Sequence, residues 1–221
     1  MMWVTILATF AGIILYASLS MRHDRQRSAA LQTIATSLGA TFRAAATAED
    51  NALLTQTHLG SLGQNRRTTN IIESARTDDL SVTLFDYIYE TGFGKYAQDT
   101  HQAVMRIQSP RLSLPKFLLY PESFFTKVAQ SFGYIDFNFP EFPEFSKMYG
   151  LRGMDEAAIR HVFTPELIQF CREHPEINLE AYGNGFLLYR FETVKPEAIA
   201  AFLEQGKRIT ALIFAAVPPA A

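Results

Sequence analysis

The stretch from residue 146 to residue 191 constrains the fold more than any other, because its residue types mark where elements begin and end. Thr164 followed by Pro165 is typical of a helix start: the threonine hydroxyl caps free backbone N–H groups, and proline fits the first helical position because no N–H is needed there. Phe163 and Ile168 occupy the two positions of a hydrophobic staple across this start. We therefore expect a helix that begins at Pro165 and ends before the next proline.

A β-hairpin is expected after this helix, with its turn in the sequence Gly183-Asn184-Gly185. Either neighbouring pair of these residues can form a two-residue loop, and both registers give the hairpin one apolar face. A three-residue loop would instead set Asn178 and Glu180 beside apolar side chains of the second strand. We therefore predict a two-residue loop. The apolar face then carries Ile177, Leu179, Ala181, Phe186 and Leu188.

Strand-like and helical segments alternate along the rest of the chain, which at 221 residues with 48% hydrophobic residues can hold one sizeable globular domain. We predict an α+β fold: an antiparallel sheet of about seven or eight strands with helices mainly on one face, plus one N-terminal transmembrane helix. One further helix is expected from Glu122 to Gln130. The expected divisions are a transmembrane anchor at 1–20, a juxtamembrane helix at 21–39, a linker or loop with one short helix at 40–67, and the α+β domain at 68–221.

Residues 1–20 carry no charged side chain and are about long enough to cross a bilayer as a helix. The alternative, a cleaved signal peptide, needs positive charge before the apolar run, and here two methionines lead directly into it. Arg22, Arg25 and Arg27 follow the run, so the positive-inside rule places the rest of the chain in the cytoplasm. We expect a single-pass protein of the cell inner membrane that contacts the lipid bilayer through residues 2–20 and has a cytoplasmic globular domain.

Charge and residue spacing give no positive sign of catalysis or of a cofactor. The formal net charge of −2 argues against nucleic-acid binding, which needs a concentrated positive surface. The five histidines form no HxH, HxxxH or HExxH arrangement, and with a single cysteine this spacing predicts no metal site. That cysteine, Cys171, lies on an apolar helix face, which favours a packed thiol over a reactive one. No catalytic residue, cofactor or metal ligand is predicted.

Asp86 and Glu90 form a carboxylate pair on a single strand face, four residues apart. Two such groups would serve as an acid and a base if they lay close together. The alternative is that acidic residues on an otherwise apolar strand face mark the point where the strand leaves the core. We favour this second interpretation.

The segment 139–145, FPEFPEF, interleaves Phe139, Phe142 and Phe145 with glutamates and is too rich in proline to pair in the middle of a sheet. If exposed, these aromatic residues form a candidate binding site for a protein partner, since aromatic side chains carry binding energy at interfaces. The plainer alternative, which we favour, is that they pack under the edge of the sheet. The preceding residues 134–139 alternate apolar and polar side chains, which predicts a half-buried strand.

Several features recur in a characteristic order along the chain. They are the apolar N-terminus followed by arginines, then DYIYETGFGK and THQAV, then FSKMYGLRGMDEAAIRHVFTPELIQF, then AYGNGFLLYR. In this order they resemble a bacterial family of single-pass, membrane-anchored proteins whose domain has no assigned function. The resemblance implies a bacterial single-pass membrane protein and supplies no active site.

Two functions are compatible with these observations. The first is a membrane-tethered, non-catalytic domain that binds a protein or another envelope component, and the second is an enzyme that acts at the membrane surface through an unidentified polar site. A deep pocket of mutually close polar residues would favour the enzyme, whereas a broad apolar or aromatic patch would favour binding. The sequence carries no catalytic motif, so we favour binding.

Overall fold

The computed structural model describes residues 2–74, 77, 79–124 and 135–217 of the chain. The strands are β1 Thr41–Ala45, β2 Gln64–Glu73, β3 Ser81–Thr91, β4 Gln98–Gln108, β5 Leu114–Pro121, β6 Ile135–Asp136, β7 Tyr149–Gly153, β8 Asn178–Gly183 and β9 Gly185–Tyr189. The α-helices are α1 Met2–Ser37, α2 Ala48–Leu54, α3 Pro143–Met148, α4 Glu156–Val162, α5 Pro165–Glu173 and α6 Ile199–Ala216. Short 3₁₀ turns lie at Leu59–Ser61, Gly94–Tyr96, Glu122–Phe124 and Pro196–Ala198.

The strands form a single sheet in the order β1-β2-β3-β4-β9-β8-β5-β7-β6, and every neighbouring pair is antiparallel. The predicted α+β class with an antiparallel sheet is confirmed. The described part of the chain contains nine strands rather than the predicted seven or eight. The additional strand is β1, which lies in the stretch 40–67 that we expected to be a linker or loop. Its side chains are mostly exposed, so it carries no apolar alternation, and it joins the sheet through backbone pairing with β2.

The hairpin of β8 and β9 has the two-residue loop that the sequence predicts. Ala181 pairs with Phe186 and Tyr182 pairs with Gly185, which leaves Gly183 and Asn184 as the loop. Gly183 has a φ of 60°, a backbone angle that glycine adopts without strain at the first position of a type II′ turn. The five residues of the predicted apolar face are all buried in the main core.

The capped helix start at residue 164 is also present. The Thr164 hydroxyl accepts a hydrogen bond from the Leu167 N–H at 3.4 Å, and Pro165 is the first residue of α5. Both residues of the predicted staple, Phe163 and Ile168, are buried. Asp155 caps α4 in the same way by accepting the Ala158 N–H at 3.0 Å. These bonds satisfy backbone donors that each helix start would otherwise leave unpaired.

The sheet separates two apolar layers of unequal size. The larger layer lies between the sheet and the helices α3, α4, α5 and α6, together with the C-terminal part of α1, whose Leu31 and Ala35 are buried in it. The smaller layer lies on the opposite face, where Leu54 of α2 and Leu59 of the following 3₁₀ turn cover aromatic residues of β3. The helices therefore lie mainly on one face, and both faces of the central strands are covered.

Helix α1 runs without interruption through both the predicted anchor and the predicted juxtamembrane helix. The anchor, residues 1–20, falls largely on side chains outside the described part of the chain. Among the described residues, no helix combines the length and the apolar character needed to cross a membrane. The structure therefore does not support the predicted transmembrane helix.

Two further predictions concern the region around residue 130. The helix expected from Glu122 to Gln130 falls mostly on residues 125–134, which lie outside the described residues. The strand expected over 134–139 is present only as β6, and its Ile135 is 63% exposed rather than buried. Phe137 and Phe139 are buried and Asn138 between them is exposed, so the predicted alternation holds for these three residues. The Phe137 N–H still donates to the Leu151 carbonyl of β7 at 2.8 Å. The alternation fails only at Ile135, the first residue of β6.

Candidate functional site

Two concave surfaces lie on the helix-covered face of the sheet, one at each end of the packed part of α1. Asp24 of α1 shares the first surface with Glu90 of β3, and Leu38 shares the second with Val82. Helix α1 therefore runs roughly antiparallel to β3. We call the surface beside Asp24 the polar cleft and the surface beside Leu38 the apolar groove.

The polar cleft has a volume of about 830 Å³ and is lined by α1 and the first four strands. Its inner end is organised by Arg27. The Arg27 guanidinium donates to both carboxylate oxygens of Asp86, from Nε and from Nη2, each at 2.7 Å. Its remaining terminal nitrogen, Nη1, donates to the Val194 carbonyl at 2.9 Å. The bidentate bonds to Asp86 connect α1 to β3, and the bond to Val194 connects α1 to the segment before α6. Bidentate contact is the strongest form of an arginine–carboxylate pair.

Asn70 completes the network around the Asp86 carboxylate. Its side-chain amide donates to Asp86 Oδ2 at 2.8 Å and accepts the Ser28 hydroxyl at 2.6 Å. The backbone of Asn70 has a φ of 53°, at a point where the pairing register of β2 with β3 shifts. A bulge of this kind changes the direction in which a side chain points. Here the Asn70 amide lies between α1 and β3.

The outer end of the cleft is held by different partners. The Glu90 carboxylate accepts hydrogen bonds from the side-chain amides of Gln64 at 2.9 Å and Asn65 at 3.1 Å. Across the cleft, Arg67 donates to Asp99 at 2.6 Å. Both sets of contacts are exposed: the first links the end of β3 to β2, and the second links β2 to β4.

The cleft therefore brings Asp86 and Glu90 to one surface without making them a pair. Residues four apart on a strand are separated by about 13 Å along the backbone, and each carboxylate is engaged by its own donors. His101, directly opposite Ile88 in the register, lines the same cleft. Glu90, one residue before the end of β3, fits the interpretation that an acidic residue marks where the strand leaves the core. Asp86 does not, because it is buried within β3 and forms an ion pair with Arg27.

The apolar groove has a volume of about 520 Å³ and lies between the C-terminal end of α1 and helix α6, above β2, β3 and β4. Its floor contains Leu84, Met105 and Ile107, which are buried. Its walls are only partly covered, and Leu38 is 50% exposed. Ligand pockets are concave, mostly apolar and of about 300–1,000 Å³, so the groove has the size and lining of a binding site for an apolar group.

Close packing at one point of α6 shapes the groove. A Cβ atom placed on Gly206 would lie 2.2 Å from the Met105 sulfur, so glycine is what lets the helix approach β4 so closely. Two cationic side chains stand at the edge: Lys207 lines the groove, and the Arg111 guanidinium lies 5.1 Å from the ring centroid of Phe214. Each of these cations is paired with an acidic side chain: Lys207 lies 2.6 Å from the Glu204 carboxylate, and Arg111 lies 3.9 Å from that of Asp79. The groove thus has an apolar interior and an edge of paired charges.

The opposite face of the sheet buries a carboxyl group, that of Glu180. It accepts backbone N–H groups at the start of the 3₁₀ turn, from His58 and, at 3.0 Å, from Leu59. Burial raises the pKa of Glu180 to about 7, even though these two hydrogen bonds act to lower it. Burial also lowers the pKa of His58, and the charge of Arg152 acts in the same direction. Glu180 is buried and lines neither the polar cleft nor the apolar groove.

The residues named from the sequence as a candidate partner site are not displayed together on the surface. Phe139 is 5% exposed and Phe145 is 1% exposed, with their ring centroids 5.6 Å apart, and Phe142 is half-buried. This placement favours packing under the sheet edge over docking. Cys171 is fully buried, and burial raises the pKa of its thiol far above the ordinary value. Within the described residues, no three metal-ligating side chains come together.

Sequence analysis missed two features that define these surfaces. Arg27 was read only as part of a positive cluster, although it forms the centre of the polar cleft. Gly206, within the C-terminal helix, was not singled out, although it sets the depth of the apolar groove. A glycine within an otherwise strong helix was the available signal, because glycine lowers helix stability unless close packing needs it.

The architecture belongs to the class of α+β domains with a single antiparallel sheet covered by helices mainly on one face. No family model matches the chain, and a search of curated proteins finds no match. Among solved structures, the fold is similar to the crystal structure of the mycobacterial trehalose monomycolate transport factor A, TtfA, with a TM-score of 0.61. The sequences are 11% identical, and the match covers 89% of this chain and 99% of that one. At this identity the similarity concerns the fold alone.

Proposed function

We propose that this protein is a membrane-tethered, non-catalytic domain that binds an acyl chain of an envelope lipid in the apolar groove. The observation that carries the proposal is the groove itself, an apolar recess of about 520 Å³ with partly exposed walls. A monomeric domain rarely leaves such a surface uncovered without a ligand or a partner. An acyl chain suits it because the floor and walls are apolar. The charged pairs at the edge, Lys207 with Glu204 and Arg111 with Asp79, suit a polar headgroup.

The tether rests on the sequence. Residues 1–20 are uncharged and are followed by three arginines, the pattern of a single span with the domain in the cytoplasm of the inner membrane. Such a position keeps the domain close to a reservoir of lipid. The resemblance to a family of membrane-anchored bacterial proteins agrees with this reading.

The fold similarity to TtfA is compatible with the proposal. TtfA is named as a transport factor for trehalose monomycolate. A role in handling a lipid-like molecule is therefore compatible with this fold, and we bring that role to the present chain as part of the proposal.

Photo-crosslinking in native membranes tests the proposal. Cells that express the full chain are fed a fatty acid with a diazirine in its acyl chain, irradiated, and analysed by mass spectrometry of the protein's peptides. We expect labelling of the α6 peptide that contains Ala211, and Ala211→Phe, which fills the groove, should reduce it several-fold. Ala201→Phe is the matched control, because Ala201 is an exposed alanine on the same helix that does not line the groove. Equal labelling in the two variants, or none in α6, would contradict the proposal.

The second candidate is an enzyme at the membrane surface, and the observation that favours it is the convergence of Asp86, Glu90 and His101 on the polar cleft. It ranks below lipid binding because the two carboxylates lie far apart and are held by structural partners. Complementation of a deletion strain with a growth phenotype separates the two functions. If Ala211→Phe fails to restore growth and His101→Ala restores it, the result supports binding. If His101→Ala fails and Ala211→Phe restores growth, the result supports the enzyme.

A further inference from the structure

The hairpin tip between β3 and β4 carries exposed aromatic side chains. The last paired residues are Thr91 and Gln98, and the chain between them makes a tight turn that uses the left-handed backbone of Gly92 and Gly94. Phe93 is 81% exposed and Tyr96 is 72% exposed. These two aromatic rings are exposed to solvent and do not pack in the core, so the core does not explain why they are aromatic.

This tip lies at the end of the domain from which the N-terminal part of α1 emerges. Asp24 and Glu90 line the same cleft, and α1 runs from there toward the groove at the other end of β3. From Glu90 to Phe93 the chain advances at most about 10 Å. At most about seven residues of α1 span the same distance. Counted back from Asp24, these residues include the point at which the uncharged N-terminal segment of α1 ends.

Exposed apolar side chains cluster at this end. Seven large apolar side chains are exposed by half or more within the described ranges, and four of them lie here. Two are on α1, Leu19 and Met21, and two are on the tip, Phe93 and Tyr96. Arg22 and Arg25 follow directly on α1 and are exposed. Aromatic and apolar residues next to cationic side chains are typical of a surface that lies in the headgroup region of a bilayer.

We propose that the β3–β4 tip inserts Phe93 and Tyr96 into the interfacial layer of the membrane, as a second contact beside α1. Two contacts fix the orientation of the domain, whereas one helix would leave it free to swing. The polar cleft then faces the lipid headgroups, and the apolar groove lies at the far end of the domain. This inference rests on the proposed membrane tether.

Tryptophan fluorescence of the full chain, reconstituted in vesicles of phosphatidylethanolamine and phosphatidylglycerol, tests it. Trp3 is the only tryptophan of the chain, so its quenching by lipids with brominated acyl chains reports on the tether. The double variant Trp3→Phe, Phe93→Trp moves this reporter to the tip. We expect a blue-shifted emission that lipids brominated near the headgroup quench more strongly than lipids brominated near the chain end.

The matched control is Trp3→Phe, Met154→Trp, because Met154 is 71% exposed and follows β7, four strands from β4 in the sheet. Its emission should not respond to brominated lipid. Quenching of Trp3 without quenching at position 93 overturns the tip contact and leaves the tether intact. Equal quenching at positions 93 and 154 also overturns it. If Trp3 is not quenched by either lipid, the tether fails, and the inference fails with it.

Discussion

Glu180 shows how a single buried residue couples stability to pH. In the folded protein its pKa is raised to about 7 from an ordinary 4.5, mainly by burial. Between these two values the unfolded chain has released a proton that the folded protein still holds. The free energy of unfolding contributed by this group is therefore largest below pH 4.5 and falls as the pH rises to about 7, by roughly 3 kcal/mol. His58 acts in the opposite direction, since its lowered pKa costs stability as the pH falls below its unfolded value.

We expect Glu180→Gln to remove the Glu180 contribution to this pH dependence. The amide keeps the shape of the side chain and one of the two oxygens that accept backbone N–H groups, but it does not titrate. The lost hydrogen bond lowers stability equally at both pH values and does not enter the pH dependence. Chemical denaturation of the full chain in detergent at pH 5 and pH 8 gives the measurement. The wild type should lose about 3 kcal/mol more between the two values than the variant does. Glu197→Gln, at an exposed glutamate, is the control and should behave as the wild type. Parallel pH profiles for wild type and Glu180→Gln would refute this account.

At the scale of elements, the polar cleft holds α1 on the sheet through one ion pair. Arg27 and Asp86 are separated by 59 residues in sequence, and their side chains are 13% and 7% exposed. Removing one partner of such a pair leaves the other buried without its counter-charge, which costs more than the pair itself contributes. The Arg27 contacts to the Val194 carbonyl and to Asp86 are lost together.

We therefore expect Arg27→Ala to lower the free energy of unfolding by about 3 kcal/mol. Arg27→Gln combined with Asp86→Asn should cost less than this, because no charge is then left unpaired, and a double-mutant cycle measures the coupling. Lys147→Gln is the control and measures the stability lost with an exposed ion pair. Lys147 and Glu144 form such a pair, which contributes about 0–1 kcal/mol. A loss for Arg27→Ala no greater than that for Lys147→Gln would show that α1 is held by its apolar contacts alone.

At the scale of the whole molecule, the two surfaces lie at opposite ends of β3. Eight residues separate Val82 at the apolar groove from Glu90 at the polar cleft, about 27 Å along a strand. With the β3–β4 tip at the bilayer, a lipid chain in the groove has left the membrane entirely. The architecture that we propose is therefore one that removes a lipid from the bilayer and holds it, without altering it chemically.

The orientation of the domain is a prediction at this same scale. Arg22, Arg25 and Arg27 follow an uncharged segment, so we expect the domain in the cytoplasm. Fusions after Ala221 provide the measurement: a fluorescent protein should be bright and alkaline phosphatase should be inactive. The opposite pair of results would place the domain outside the cytoplasm and would make the orientation wrong. The double variant Arg22→Gln, Arg25→Gln is a control for the rule itself, because it reduces the charge bias at two exposed arginines, leaves the Arg27 ion pair intact, and should weaken the preference.

The sequence by itself determined those parts of the structure whose contacts are local. The start of α5 depends on Thr164, Pro165 and two staple residues within five positions, and the hairpin loop depends on three consecutive residues. In such cases the residues that interact are also neighbours in sequence, so their types and spacing are sufficient. The two carboxylates of β3 were likewise placed correctly on one face, because alternation along a strand is local.

Only the tertiary structure decided which residues meet at the two surfaces. The polar cleft joins Arg27 of α1 to Asp86 and Asn70, and the apolar groove joins Leu38 to Gly206. No local pattern encodes these contacts, because they depend on how a helix and a distant strand pack together. The same reason explains β1, which pairs through backbone groups that every residue carries. Packing between distant parts of the chain therefore determines which residues form the candidate sites. Local residue patterns determine the helices and strands that carry those residues.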